Sequence, residues 1–162
     1  MIKIRNLSAD RWEDFRNLRL EALQNDPLAF ESSYEEEKTI TQEEWKRRIE
    51  NALFAILNGK PIGMIVYIIG NKIKTKHIAT IFGVYVKKEY RNQSIGKKLI
   101  ESVLNIIQEN KNVSKIKLTV SPEQIAAVKL YEKYGFAVVG RLKKELKVDG
   151  KFYDELIMEK LL

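Results

Sequence analysis

Apolar residues along this chain follow two rhythms, and the switches between them mark its elements. The opening "IKIRNL" alternates apolar and polar side chains, which predicts a short strand. Trp12, Phe15, Leu18, Ala22 and Leu23 then recur at helical spacing behind Ser8, a candidate cap, and Pro27 closes that helix. "TQEEW" has Thr41 followed three residues later by Glu44, a capping-box pattern that predicts a second helix running to about Asn51. Between them lies "LAFESSYEEEKTI", a loop rich in carboxylates and aromatics. "LFAIL" and "IGMIVYIIG" are apolar runs of strand length, joined at Asn58-Gly59, a strong hairpin signal. "IATIFGVYV" predicts another strand, entered after a lysine-rich turn at residues 72–76.

The helical rhythm returns with Ile95, Leu99, Val103, Leu104 and Ile107. "KIKLTV" reads as a strand. Ser121-Pro122 then predicts a helix start, with Ser121 as cap and Gln124 as its third residue, and Gly135 predicts the end of that helix. Two final strands, roughly 136–147 and 152–161, flank an Asp149-Gly150 turn. The predicted order is β-α-α-β-β-β-α-β-α-β-β. Strands and helices mixed in this way imply an α/β fold, a mixed sheet with helices on both faces. No repeat, low-complexity linker or boundary interrupts it, so residues 1–162 are expected to form one domain.

Composition narrows the chemistry. The chain has 162 residues of which 44% are hydrophobic, enough for a core of its own. It has no cysteine, which excludes disulfides, thiolate metal sites and a cysteine nucleophile. His77 is the only histidine, so a multi-histidine metal site is impossible, and no metal is expected. No apolar run approaches the roughly 18 residues of a membrane span, and the first residues show no signal core. A cytoplasmic location is the expectation. The net charge of +7 is uneven, with −3 over residues 1–50 and +10 over the remainder. A basic excess suits a polyanionic ligand, nucleic acid or a membrane surface, and it also arises from lysine-rich composition alone.

The basic excess has one concentrated spot. "VYVKKEYRNQSIGKKL" places Arg91, Gly96, Lys97 and Lys98 where a strand hands over to a helix. Free backbone N–H groups and the helix dipole make such a turn an anion site, and a glycine lets a phosphate approach the backbone. The turn lacks the P-loop and dinucleotide patterns. On physics alone it is either a pyrophosphate cradle or an ordinary basic turn capped by Ser94.

Two stretches resemble a known family. Arg91-Asn92-Gln93-Ser94-Ile95-Gly96 is similar to the acetyl-CoA signature of the GNAT superfamily of N-acetyltransferases, Arg/Gln-x-x-Gly-x-Gly/Ala. "QIAAVKLYEKYGF" resembles that superfamily's Asn-x-x-Ala-x-x-Leu-Tyr-x-x-x-Gly-Phe stretch, matching at Ala127, Leu130, Tyr131, Gly135 and Phe136. Two departures stand out: Ser94 where a glycine is usual, and Gln124 where asparagine is common. The resemblance implies an enzyme that moves an acetyl group from acetyl-CoA directly to a primary amine of a small molecule, peptide or protein.

The same resemblance implies roles for single residues. The backbone of Val84, Tyr85 and Val86 would pair with the pantetheine arm, with Gly83 suited to a bulge there. Residues Arg91, Asn92, Gln93, Ser94, Ile95, Gly96 and Lys97 would hold the pyrophosphate, and Gln124 would lie near the pantetheine. Tyr131 would be the catalytic proton donor, its phenol having an ordinary pKa of about 10. The strand before the turn lacks the glutamate that many relatives use as a base. A water chain, or a carboxylate among Glu31, Glu35, Glu36 and Glu37 of the acidic loop, would have to substitute. Phe30, Glu31, Tyr34 and Glu35 are the candidate acceptor-binding residues, for a cationic amine. A non-catalytic acyl-CoA sensor of the same fold and a basic nucleic-acid-binding domain are the competing classes. The partners expected are acetyl-CoA and an amine, without nucleic acid or membrane, and a homodimer is left open.

Overall fold

The computed structural model describes residues 1–162. One mixed sheet contains seven strands: β1 (Lys3–Arg5), β2 (Ala52–Leu57), β3 (Lys60–Ile69), β4 (Ile78–Val86), β5 (Lys115–Val120), β6 (Ala137–Val148) and β7 (Lys151–Leu161). Their spatial order is β1-β2-β3-β4-β5-β7-β6. Every neighbouring pair is antiparallel except β4 and β5, which are parallel and joined through a helix. The helices are α1 (Trp12–Asn25), α2 (Tyr34–Glu37), α3 (Gln42–Arg48), α4 (Ile95–Glu109) and α5 (Ile125–Lys133). No helix is long and apolar enough to cross a membrane.

The sheet separates two cores. Leu53, Ala55, Ile65, Ala79 and Ile81 turn to one face and meet α4. Phe54, Ile56, Met64 and Val66 alternate to the other face and meet Phe15 of α1 and Trp45 of α3. Helix α4 buries Ile95, Leu99, Ile100, Val103, Leu104 and Ile107, each contributing about 1.5–3 kcal/mol by leaving water. Phe15 stands edge-on to both Trp45 and Phe54, at 5.3 and 5.5 Å between ring centres.

The elements follow the order expected from sequence, with local corrections at their starts. The loop after Pro27 contains α2, because Ser33 and Glu36 form a reciprocal capping box of the same kind sought at Thr41. At Thr41 only half a box forms. The Thr41 hydroxyl accepts from the Glu44 N–H, but the Glu44 carboxylate turns to Arg47 and Arg48. Ser121 does not cap a helix. Its carbonyl accepts from the Gln124 N–H in a turn, and α5 begins only at Ile125. Ser8 precedes a 3₁₀ turn without capping it through its side chain.

Strand β4 carries the irregularity that matters most. Met64 pairs with Tyr85 and Val66 with Phe82, so Gly83 and Val84 together oppose Ile65 alone. Gly83 adopts φ +64°, a left-handed conformation that favours glycine. The extra residue inverts the alternation. Ala79 and Ile81 face the α4 core, Tyr85 faces the α1 core, and Val84 and Val86 pack on the α4 side. A Cβ at Gly83 would lie 2.9 Å from a guanidinium nitrogen of Arg19 and 3.1 Å from Val66. Gly83→Ala is therefore expected to destabilise the fold by about 1–3 kcal/mol, from backbone strain and crowding together. Urea denaturation at equilibrium measures it.

Candidate active site

Beyond the bulge, β4 and β5 part. They pair only from Ile78 opposite Lys115 to Thr80 opposite Lys117. β4 continues to Val86 beside β3, while Leu118, Thr119 and Val120 of β5 continue beside β7. The gap opens into a cleft of about 1380 Å³ that runs through the sheet. At one end stands the turn leading into α4, and at the other the loop after α1 and the β6–β7 hairpin.

The turn is built for an anion. Lys98 donates its N–H to the Ser94 carbonyl, the first bond of α4. The six preceding amides, Asn92 to Lys97, donate to no backbone or side-chain acceptor in the protein. Asn92 (φ 63°) and Ser94 (φ 58°) are both left-handed, so the chain coils and gathers these groups. This conformation replaces the side-chain cap sought at Ser94, which makes no such bond. A Cβ on Gly96 would meet nothing closer than Leu130 at 3.7 Å. The protein's own packing does not require glycine there, and the lack of a side chain suits a group approaching the backbone from the cleft.

The sequence-selected residues divide according to what their side chains do. Arg91 lines the cleft, but its guanidinium donates to Asp26 at 2.7 Å and to the Val86 carbonyl at 2.9 Å, tying the turn to the end of α1. Asn92, Ser94, Gly96 and Lys97 line the cleft. Ile95 contributes backbone only, since its side chain is buried beneath α4. Gln93 points away from the cleft and is exposed. Val84 and Val86 line the gap, as does Gln124. Tyr85 presents only its backbone there. Its hydroxyl donates to Glu21 and accepts from Asn25 on the opposite face, where burial pushes the phenol up to about 12. Tyr131 is buried, edge-on to Phe136, and reaches the cleft. Burial pushes its phenol up to about 12, so it keeps its proton at neutral pH.

At the other end, Phe30 and Glu31 line the cleft. Tyr34 and Glu35 do not: Tyr34 is half-buried against the α1 core, and α2 turns Glu35 outward. Glu35 is exposed and pairs with Lys38, whose ammonium sits over the Tyr34 ring. Glu36 is held by Ser33. Glu37 is buried and receives a two-pronged bond from Arg19, at 2.8 and 2.9 Å, while the Arg19 guanidinium lies 4.5 Å from the Phe30 ring centre. His77 is exposed and serves through its carbonyl, which accepts from the N–H groups of Ser114 and Lys115.

Sequence reasoning missed Glu155. It is 4% exposed, lines the cleft from β7, and its Oε2 has no hydrogen-bond partner. Burial raises its pKa, and the nearby Glu31 and Glu145 carboxylates add to the shift. A signal was present. Tyr153, Glu155 and Ile157 share one face of the strand, so the carboxylate interrupts an apolar row. Ile68 and Phe82 were missed in the same way. They are 47% and 40% exposed, and both wall the cleft.

Comparison with known proteins bears on the family and the fold. The model of the acetyltransferase (GNAT) family matches residues 11–136. An L-amino acid N-acetyltransferase, AaaT of Escherichia coli (strain K12), is 25% identical over 122 residues, covering 72% of this chain and 75% of its own. A GNAT-family acetyltransferase from Streptococcus pneumoniae superposes with a TM-score of 0.89 at 26% identity, over 100% of both chains. The structure of yncA from Salmonella typhimurium, solved with its cofactor acetyl-CoA, shares the fold at a TM-score of 0.85 and 15% identity, covering 100% of this chain and 94% of its own.

The Arg19–Glu37 pair forms part of the cleft wall, and its charges are buried together. Glu37→Gln leaves the Arg19 charge without its counter-ion, and a loss of about 3–5 kcal/mol in unfolding free energy is expected by urea denaturation. Glu35→Gln, on the outward face of α2, is expected to leave stability unchanged in the same measurement.

Proposed function

Since the chain belongs to the acetyltransferase (GNAT) family and is an acyltransferase, we propose that it carries the acetyl group of acetyl-CoA directly to a primary amine held in the same cleft. The observation that carries the reading is the run of unpartnered amides from Asn92 to Lys97 at the N-terminus of α4, with no protein atom crowding Gly96. These groups suit a pyrophosphate, because each free N–H offers a hydrogen bond and the helix dipole favours negative charge. Lys97 adds a cation beside them.

The parting of β4 from β5 supplies the second requirement. Along Val84–Val86 no strand lies on the β5 side, so an extended chain bearing amides has a backbone to pair with. That pairing would bring a thioester to the middle of the cleft, where a β4 backbone N–H near Val84 faces the carbonyl oxygen as negative charge develops.

Tyr131 would give its proton to the departing sulfur. Its raised pKa keeps the proton in place until then, and the same dry surroundings raise the proton affinity of a thiolate formed beside it. Direct attack by the amine requires no nucleophile from the protein, which accords with a chain lacking cysteine. Glu31 and Glu155 line the cleft in no ion pair and outnumber the one unpaired lysine, Lys117, that lines it with them, which favours a cationic acceptor over an anionic one.

Two experiments test the reading. Acetyl-CoA is expected to raise the melting temperature of the wild type, and Gly96→Asp to abolish most of that rise by placing bulk and negative charge beside the pyrophosphate. An undiminished shift in the folded variant would remove the cradle from this turn. In steady-state kinetics where chemistry limits the rate, Tyr131→Phe is expected to lower kcat by about 10²–10⁴-fold while the acetyl-CoA melting shift persists. An unchanged kcat would reduce Tyr131 to packing.

A further inference from the structure

We propose that Glu155 holds the ammonium group of the acceptor and takes up its proton, with Glu31 as a second carboxylate at the rim and Ile68, Phe82 and Ile157 as the wall for an apolar acceptor body. The inference rests on the acetyl-transfer reading above and names the base and the acceptor class for the same cleft.

Three observations converge on Glu155. It is 4% exposed yet makes no ion pair, and one carboxylate oxygen has no partner at all. A carboxylate buried for structural reasons is normally paired or fully hydrogen-bonded, because an unmatched one opposes folding. Second, the residue lines the cleft, on the strand that runs beside the free half of β5. Third, apolar side chains that are only partly covered line the same cleft. Phe82 and Ile68 are among the most exposed large hydrophobic residues of the sheet, and Ile157 pairs across from Thr119.

The groups that face Glu155 come from three neighbouring elements. β5 contributes Thr119, with Lys117 further along the same strand lining the cleft, β6 contributes Glu145, and the loop after α1 contributes Glu31. Glu31 and Glu145 are like charges, and Lys117 makes no ion pair. An arriving ammonium would therefore meet two carboxylates whose repulsion it relieves. Burial and these neighbours raise the pKa of Glu155, which brings a carboxylate closer to the range in which a general base works well.

The step balances as follows. The bound ammonium gives one proton to a Glu155 oxygen, and the freed lone pair forms the C–N bond at the thioester carbon. The C–S bond breaks as the adduct collapses, and the sulfur takes a proton from Tyr131. The second proton leaving the nitrogen restores Tyr131, and Glu155 releases its own to water. Ammonium and thioester thus become amide, thiol and one proton.

The test uses the full chain, acetyl-CoA and a panel of primary amines, beginning with 2-phenylethylamine for its apolar body and including the polycation spermidine for contrast. Glu155→Gln is expected to lower kcat/KM for the amine by about 10²–10⁴-fold. It should leave the KM and melting shift for acetyl-CoA unchanged and raise the melting temperature of the free protein, since an unmatched buried charge is gone. In the wild type, kcat/KM for the amine should fall as pH drops through the raised Glu155 ionisation, because the base must be unprotonated. Glu155→Gln should lack that acidic limb, and Glu155→Asp should regain part of the rate together with the limb. A Glu155→Gln protein with wild-type kcat/KM and an unchanged pH profile overturns the assignment. So does one that loses acetyl-CoA binding in parallel, which would mark Glu155 as a support of the cleft. A wild type that binds acetyl-CoA but acetylates no amine of the panel overturns the transfer reading and this assignment with it. That failure is distinguishable, because in the first two outcomes the wild type still turns over.

Discussion

After Thr80 and Lys117 the central strands β4 and β5 stop sharing hydrogen bonds, and almost everything else in the molecule is arranged around that parting. A sheet does not open in its middle without compensation, because its backbone groups need partners. Here β3 keeps β4, β7 keeps β5, and the bulge at Gly83 bends β4 away with one extra residue. The bulge also redirects Tyr85 into the α1 core, where its hydroxyl is anchored between Glu21 and Asn25. Arg19 packs against the space that a side chain at Gly83 would fill, and Glu37 neutralises it. The opening is thus supported from below by a buried ion pair and above by the α4 core.

Charge is sorted along this opening. At the α4 end the turn offers unpartnered N–H groups, and Lys97 beside them is only loosely matched, 3.8 Å from Glu101. At the other end Glu31 and Glu155 stand without counter-ions. Most remaining ionic groups nearby are matched: Arg91 with Asp26, Arg19 with Glu37, and Arg48 with Glu44. Unmatched charge at a cleft is where ligand charge gains most, since the protein has no internal partner to compete.

Much of this fold was legible in the chain, for physical reasons that are local. Asn58-Gly59 and Asp149-Gly150 close their hairpins with φ values of 49° and 77°, and 49° and 79°, as turns of that composition demand. The spacing of Ile95, Leu99, Val103 and Ile107 marked the buried stripe of α4. Gly83 could be read as a bulge because little else excuses a glycine within an apolar strand. What stayed hidden depends on distant partners. The burial of Glu155 is set by β5 and β6, which no local window contains. The placing of Tyr34 against the α1 core and of Glu35 toward solvent follows from α2, whose capping box at Ser33 and Glu36 was written in the sequence but masked by a run of charges. Gln93, adjacent to residues that face the cleft, points out because the coiled turn does not alternate as a strand would.

Asn92 and Ser94 hold left-handed conformations that a glycine would adopt more easily. Each such residue opposes folding by about 1–2 kcal/mol, less for asparagine. Both also have fewer states to lose than glycine when the chain unfolds, which returns part of that deficit. The Arg91 bonds to Asp26 and Val86 clamp the same segment from its side. A turn stiffened in this way meets its ordering entropy during folding, before any ligand arrives. Its amides already converge, and an anion entering the cleft has little left to organise. Rigidity at this corner, more than the number of positive charges around it, would set how tightly the anion is held.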